Sequence, residues 1–199
     1  MSRIASSFSS GAAGEDVSVL GVLELDSVAE GYRVLDTLVK AAPVTLLVAE
    51  VLNPGKFLIM ITGDVASVEE SMKRGIKAAA ETLLDYLFIT NLHSDVIPAL
   101  RERQRVEESD ALGVIEAFSI VGSVEAADAA AKEAEVRILE VRIGDEMGGK
   151  STATIHGPIG EVEAALDVAR GLLEEKELLV RTVVIARPHD DLRVHVEGP

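Results

Sequence analysis

Eight consecutive residues, Gly144-Asp145-Glu146-Met147-Gly148-Gly149-Lys150-Ser151, satisfy the pattern G-x-x-x-x-G-K-[ST]. In nucleotide-binding proteins that pattern leads from a strand into a helix, and the loop amides and helix N-terminus hold the phosphates. Here the following residues, Thr152-Ala153-Thr154-Ile155, alternate as a strand does and carry no helical stripe. Asp145 and Glu146 would repel phosphate. The segment therefore reads as a glycine-rich hairpin loop, with a nucleotide-binding enzyme using Lys150 and Ser151 kept as an alternative. The other chemistry-bearing side chains do not assemble. His93, His156, His189 and His195 are scattered, and the carboxylate pairs Glu174-Glu175 and Asp190-Asp191 read as solvated charge. No nucleophile stands with a base and an orienting acid. The expectation is a protein that is not an enzyme and holds no metal.

The elements that must position these residues come in two sets. Leu20-Gly21-Val22-Leu23-Glu24 returns as Leu112-Gly113-Val114-Ile115-Glu116, and Ile61-Thr62-Gly63 returns as Ile155-His156-Gly157. Internal repetition on this scale points to two tandem copies of one domain. Within each copy the pattern reads β-α-β-β-α-β. In the first, Val17–Leu25 is a strand, and Ser27 with Glu30 forms a capping box ahead of a helix that Pro43 stops. Val44–Glu50 and Lys56–Thr62 form a hairpin across Asn53-Pro54-Gly55. A long helix follows from Asp64 through Leu83, then a short strand at Leu87–Thr90. The second copy repeats this with strands at 111–117, 136–143, 150–155 and 178–185 and helices at 121–134 and 161–175. Its glycine-rich loop falls where the first copy has the hairpin tip Asn53-Pro54-Gly55-Lys56. The expected fold class is α+β, with antiparallel sheets and helices packed on one face. A sheet face bearing Val19, Leu47 and Ile59 is expected to need a neighbour. The expected domains are a flexible tail at 1–17, a first domain at 18–100, a charged linker at 101–109 and a second domain at 110–199.

Composition narrows the function. The chain has 199 residues with 34 acids against 19 bases, a net charge of −15, which argues against nucleic acid and anionic membranes as partners. Only 3% of residues are aromatic and none is Trp, so platforms for stacking bases are few. There is no Cys, which excludes disulfides and thiolate metal sites and fits a reducing, cytoplasmic location. No apolar stretch approaches the roughly 18 residues of a membrane span.

Three segments of the second copy, Ala111-Leu112-Gly113-Val114-Ile115-Glu116, Ala126-Ala127-Asp128-Ala129-Ala130-Ala131-Lys132 and Val183-Val184-Ile185-Ala186-Arg187-Pro188-His189, resemble the shell-protein domain of bacterial microcompartments. The first copy adds Asn53-Pro54-Gly55-Lys56-Phe57-Leu58 and Thr62-Gly63-Asp64-Val65. Two fused copies resemble the tandem-domain shell proteins, and the likeness covers about residues 18 to 195. The resemblance implies a structural subunit that forms a pseudo-hexameric homotrimer and tiles with hexameric and pentameric shell proteins into the facets of a microcompartment. It implies a central pore for small metabolites, lined by Asn53, Pro54 and Gly55 and by Gly144, Asp145, Glu146, Met147 and Gly148. It implies tile-edge contacts at Lys40 and Lys132 and at Arg187 and His189; the first copy departs from the last pair, with Leu92-His93-Ser94 there. Some tandem members carry a Cys just before the Pro-Gly-Lys of the first loop, and three such thiolates hold an iron–sulfur cluster. Here that position is Asn53, so no cofactor is expected. A module that senses small molecules remains the other alternative, since β-α-β-β-α-β pairs also serve that purpose.

Overall fold

The computed structural model describes residues 17–105, 110–143 and 147–192. In the N-terminal half the chain runs β1 (Leu20–Leu25), α1 (Val28–Ala41), β2 (Thr45–Leu52), β3 (Lys56–Thr62), α2 (Val65–Ala79), a 3₁₀ turn (Ala80–Thr82) and β4 (Leu83–Ile89). A short helix, α3 (Val96–Arg101), precedes β5 (Ala111–Ala117), α4 (Ile120–Glu133), β6 (Arg137–Ile143), β7 (Ser151–Gly157), α5 (Ile159–Glu175) and β8 (Leu179–Ala186). Each half builds one four-stranded antiparallel sheet, ordered β2-β3-β1-β4 and β6-β7-β5-β8.

The helices begin where the sequence supplies acceptors for free amides. Ser27 accepts from the Glu30 amide and Asp64 from the Ser67 amide at 3.0 Å, and Ser119 starts α4 by accepting from Gly122 at 3.0 Å. Glu30 itself accepts from the Arg33 guanidinium. The α2 helix is shorter than its apolar spacing suggests. Ala80 turns out of it at φ +48, and the Thr82 hydroxyl donates to the Ala79 carbonyl at 2.7 Å. Leu83, the last member of the expected stripe, therefore begins β4.

In the N-terminal unit α1 and α2 cover one sheet face. Val34, Leu38, Val68 and Met72 meet Leu23, Leu25, Phe57, Ile59 and Ile61. Val19 and Ile59 belong to this helix-covered core rather than to an open face. The register explains it: Ile59 lies opposite Leu23, and strand alternation puts both on the side of the helices. Helix and strand approach so closely that a Cβ on Gly31 would stand 2.3 Å from Phe57 Cγ, and one on Gly21 would stand 2.8 Å from Met72 Sδ. The exposed apolar side chains include Leu84 and Tyr86 of β4 and Val183 and Val184 of β8, both edge strands.

By contact, the N-terminal compact unit takes the chain to Ser94 together with the turn ending at Gly149, and the C-terminal unit takes Asp95–Ile143 and Lys150 onward. Asp95 accounts for the division. Its carboxylate accepts from Arg137 Nε at 2.5 Å and from the Ile138 amide at 3.4 Å, docking α3 onto β6. The charged stretch after α3 is also attached: Gln104 donates its amide to Leu139 at 2.7 Å, and Arg103 donates twice to Glu140. Arg137 lies opposite His156 in the β6–β7 ladder. Burial of the His156 imidazole, then the Arg137 cation, hold its pKa below the ordinary value, and Asp95 opposes them. An unfolded chain would protonate His156 near pH 6.5 and the folded chain only at lower pH. The stability His156 contributes is thus present above pH 6.5 and lost as pH falls from there through the lower pKa of the folded chain. Urea midpoints measured between pH 7.5 and 5.5 should fall less in His156→Gln than in the parent chain; equal falls would exclude this group as the cause.

Candidate functional site: two hairpin tips on ion pairs

Both candidate loops are hairpin tips. In the first, the Gly55 amide donates to the Leu52 carbonyl at 2.8 Å across Asn53 and Pro54, whose peptide bond is cis. Asn53, Pro54 and Gly55 are all exposed, and Gly55 stands at φ +111 with open space around it. The second tip turns on two left-handed glycines, Gly148 at φ +62 and Gly149 at φ +86, a conformation that favours glycine. Met147 is half-buried and Gly148 exposed. Gly144, Asp145 and Glu146, also expected at the pore, lie outside the described residues.

Beneath each tip lies an ion pair that the sequence reading did not anticipate. Lys56 Nζ is 2.5 Å from Glu24 Oε1, and Lys150 Nζ is 2.5 Å from Glu116 Oε1. Register produces both contacts. Glu24 lies opposite Leu58 and Glu116 opposite Thr152, so each lysine, two residues earlier, is a diagonal neighbour on the same face. Glu24 has no exposed surface. Leaving such a carboxylate without its cation typically costs about 3–5 kcal/mol. The clue was present in the repeat, which returns a glutamate inside an apolar strand and a lysine just past each turn. Lys56 also donates to the Gly149 carbonyl at 3.1 Å, within the N-terminal unit.

The phosphate-loop match dissolves on this geometry. Ser151 opens a strand, β7, and no helix N-terminus follows. Lys150 is already paired with Glu116. Ser151 is fully buried, 2.7 Å from the Ser119 carbonyl and 2.6 Å from Ser123 Oγ, so its hydroxyl serves the start of α4. Among the described residues no group of three His, Cys, Asp or Glu side chains could hold a metal ion. His195 lies outside them. No helix of the described residues is long and apolar enough to cross a membrane.

The remaining candidates are surface residues. Lys40 and Lys132 both end helices and both pair back one turn, with Asp36 at 2.7 Å and Asp128 at 2.5 Å. Lys40 projects into solvent, whereas Asp128 is buried and anchors Lys132. Arg187 leaves β8 at φ +49 with its amide donating to the Asp110 carbonyl at 2.7 Å. His189 is exposed beside Asp191.

Comparison with known proteins gives a consistent result. The model of the BMC domain matches twice, over residues 19–92 and 111–188. The shell protein PduT of Citrobacter freundii is 38% identical over 180 residues, covering 90% of this chain and 98% of its own length. The shell protein EutM of Salmonella typhimurium is 39% identical over 84 residues, 42% of this chain and 84% of its own. A crystal structure of a microcompartment protein from Desulfitobacterium hafniense DCB superposes with a TM-score of 0.79 at 40% identity, covering 89% of this chain and 98% of that one. Titration of magnesium-ATP into the protein should give no binding heat; a micromolar dissociation constant abolished by Lys150→Ala would restore the nucleotide reading.

Proposed function

Because the chain belongs to the BMC-domain family of bacterial microcompartment shell proteins, we infer that three copies close into a pseudo-hexameric ring that tiles shell facets. Its role is that of a structural shell subunit, located in the microcompartment shell. The reading adds that it is not an enzyme, that the compartment lies in the cytoplasm, and that hexameric and pentameric shell proteins are the neighbouring tiles. The observation that carries the ring is the state of the edges. The β4 and β8 strands stand at the ends of their sheets with Leu84, Tyr86, Val183 and Val184 exposed. Such edges pair with another chain unless covered, and a heterologous contact repeated around an axis covers them by closing.

The pore reading rests on the tips. Asn53, Pro54 and Gly55 are exposed, and a Cβ on Gly149 would stand 3.3 Å from Pro54 Cδ, so the Gly149 turn lies directly against the first tip within the N-terminal unit. In this reading the tips, with Gly144, Asp145, Glu146, Met147 and Gly148 from the second, ring the axis and admit small metabolites. Lys40, Lys132, Arg187 and His189 face neighbouring tiles. Native mass spectrometry should show a trimer, and electron microscopy should show sheets at high protein concentration. Lys40→Asp together with Lys132→Asp should abolish the sheets and keep the trimer. A monomer or dimer at micromolar concentration would overturn the ring, and sheets unaffected by the substitutions would return both lysines to solvent.

No cofactor belongs to this reading. An Asn carboxamide is a poor iron ligand, whereas thiolates select iron–sulfur clusters. The purified protein should be colourless. Asn53→Cys would add one thiolate per chain at an exposed tip, and three around a three-fold axis. Anaerobic reconstitution of that variant with iron and sulfide should give a brown trimer with a paramagnetic signal on reduction. A trimer that stays colourless would place Asn53 away from the axis.

A further inference from the structure

Among the described residues Lys56 makes two contacts where Lys150, its counterpart, makes one, to Glu116 of β5. Its ammonium is 2.5 Å from the buried Glu24 carboxylate and 3.1 Å from the Gly149 carbonyl. Lys150 meets Glu116, and both of those side chains are partly exposed. The turn that receives Lys56 has little to fix it locally. Gly148 and Gly149 both stand in the left-handed region, and nothing approaches within 4 Å of a Cβ placed on Gly148. Consecutive glycines of this kind lose the most freedom on being ordered. Gly149 is nevertheless buried, with Lys56 Cε 3.2 Å and Pro54 Cδ 3.3 Å from where its Cβ would be.

We propose that Lys56 is the positioning residue for both hairpin tips: Glu24 fixes its ammonium, and the ammonium fixes the Gly149 carbonyl and with it the Gly148–Gly149 turn. The strength of this arrangement comes from burial. A charge-assisted hydrogen bond from an ammonium held by a fully desolvated carboxylate is less screened than the partly exposed Lys150–Glu116 pair. The second tip is therefore set by the lysine of the first repeat and not by its own. This deepens the pore reading, because the placement of Gly148 decides what faces the mouth. The contact itself does not depend on that reading.

Hydrogen exchange tests it on the full chain. In Lys56→Met, the peptide spanning Met147 to Ser151 should exchange at least about tenfold faster than in the parent, the scale expected when one charge-assisted hydrogen bond is lost. In Lys150→Met the same peptide should stay within about twofold of the parent. Lys56→Met takes the cation from a buried carboxylate, so Glu24→Gln with Lys56→Met, which removes both charges, is the second variant and should also loosen the tip by about tenfold. Unchanged protection in the double variant, or equal loosening by Lys150→Met, would overturn the proposal. Native mass spectra of the parent chain read the ring separately: a parent that is only monomer or dimer counts against the pore reading, while the exchange at the tip alone decides this one.

Discussion

Glu24 lies on a central strand with none of its surface in water, and Lys56 is the cation that makes the position tolerable. The consequence is mechanical as much as energetic. Lys56 is the first residue after the hairpin turn, so the pair ties the tip of the β2–β3 hairpin to β1. Replacing both partners with apolar groups can be close to neutral, whereas losing one is severe. Specificity of placement is what such a pair supplies. The second copy keeps the device as Glu116 and Lys150, in the same diagonal register and with more solvent around it.

The ion pair also explains why the second tip imitates a phosphate loop. The last three letters of that pattern have structural reasons. The turn has glycines at left-handed positions, the lysine answers a glutamate across the ladder, and the serine hydroxyl meets the carbonyl of the α4 cap and Ser123. Glycine, lysine and serine in that order arise from hairpin geometry without any phosphate to bind. What separates the two cases is the element that follows, and β7 is a strand.

Much of the fold was legible because its signals are local. The capping serine at Ser27, the stop at Pro43, the turn at Asn53-Pro54-Gly55 and the branched apolar runs all announce element ends. The repeat then fixed the architecture, and the BMC-domain matches over 19–92 and 111–188 follow it. What stayed hidden depends on partners far along the chain. Leu83 fits the helical stripe of α2, and only the left-handed Ala80 shows that the helix has ended. Val19 and Ile59 alternate correctly, but alternation alone does not say which face the helices take. That Asp95 docks α3 through Arg137 is visible only once the β6 register is known. The tip residues themselves were legible as turn chemistry, while the Lys–Glu pairs beneath them needed strand pairing to be seen.

The two copies have the same topology and unequal surfaces, and the inequality bears on assembly. On α1 the terminal lysine and its aspartate are both solvated; on α4 the aspartate is buried and flanked by Ala126, Ala127, Ala129, Ala130 and Ala131. An anchored lysine presents its charge in one place at little further entropic cost, whereas a solvated one must still be ordered by its neighbour. Two such lysines cannot make equivalent contacts even if they occupy matching edges. A ring built from one domain type repeats a single edge six times. A ring built from this chain would alternate two edges and two kinds of tip, one closed by Asn53-Pro54-Gly55 and one by Gly148-Gly149. Duplication would thus let a tile differ from side to side while a Glu–Lys pair in the same register keeps the scaffold of both halves the same.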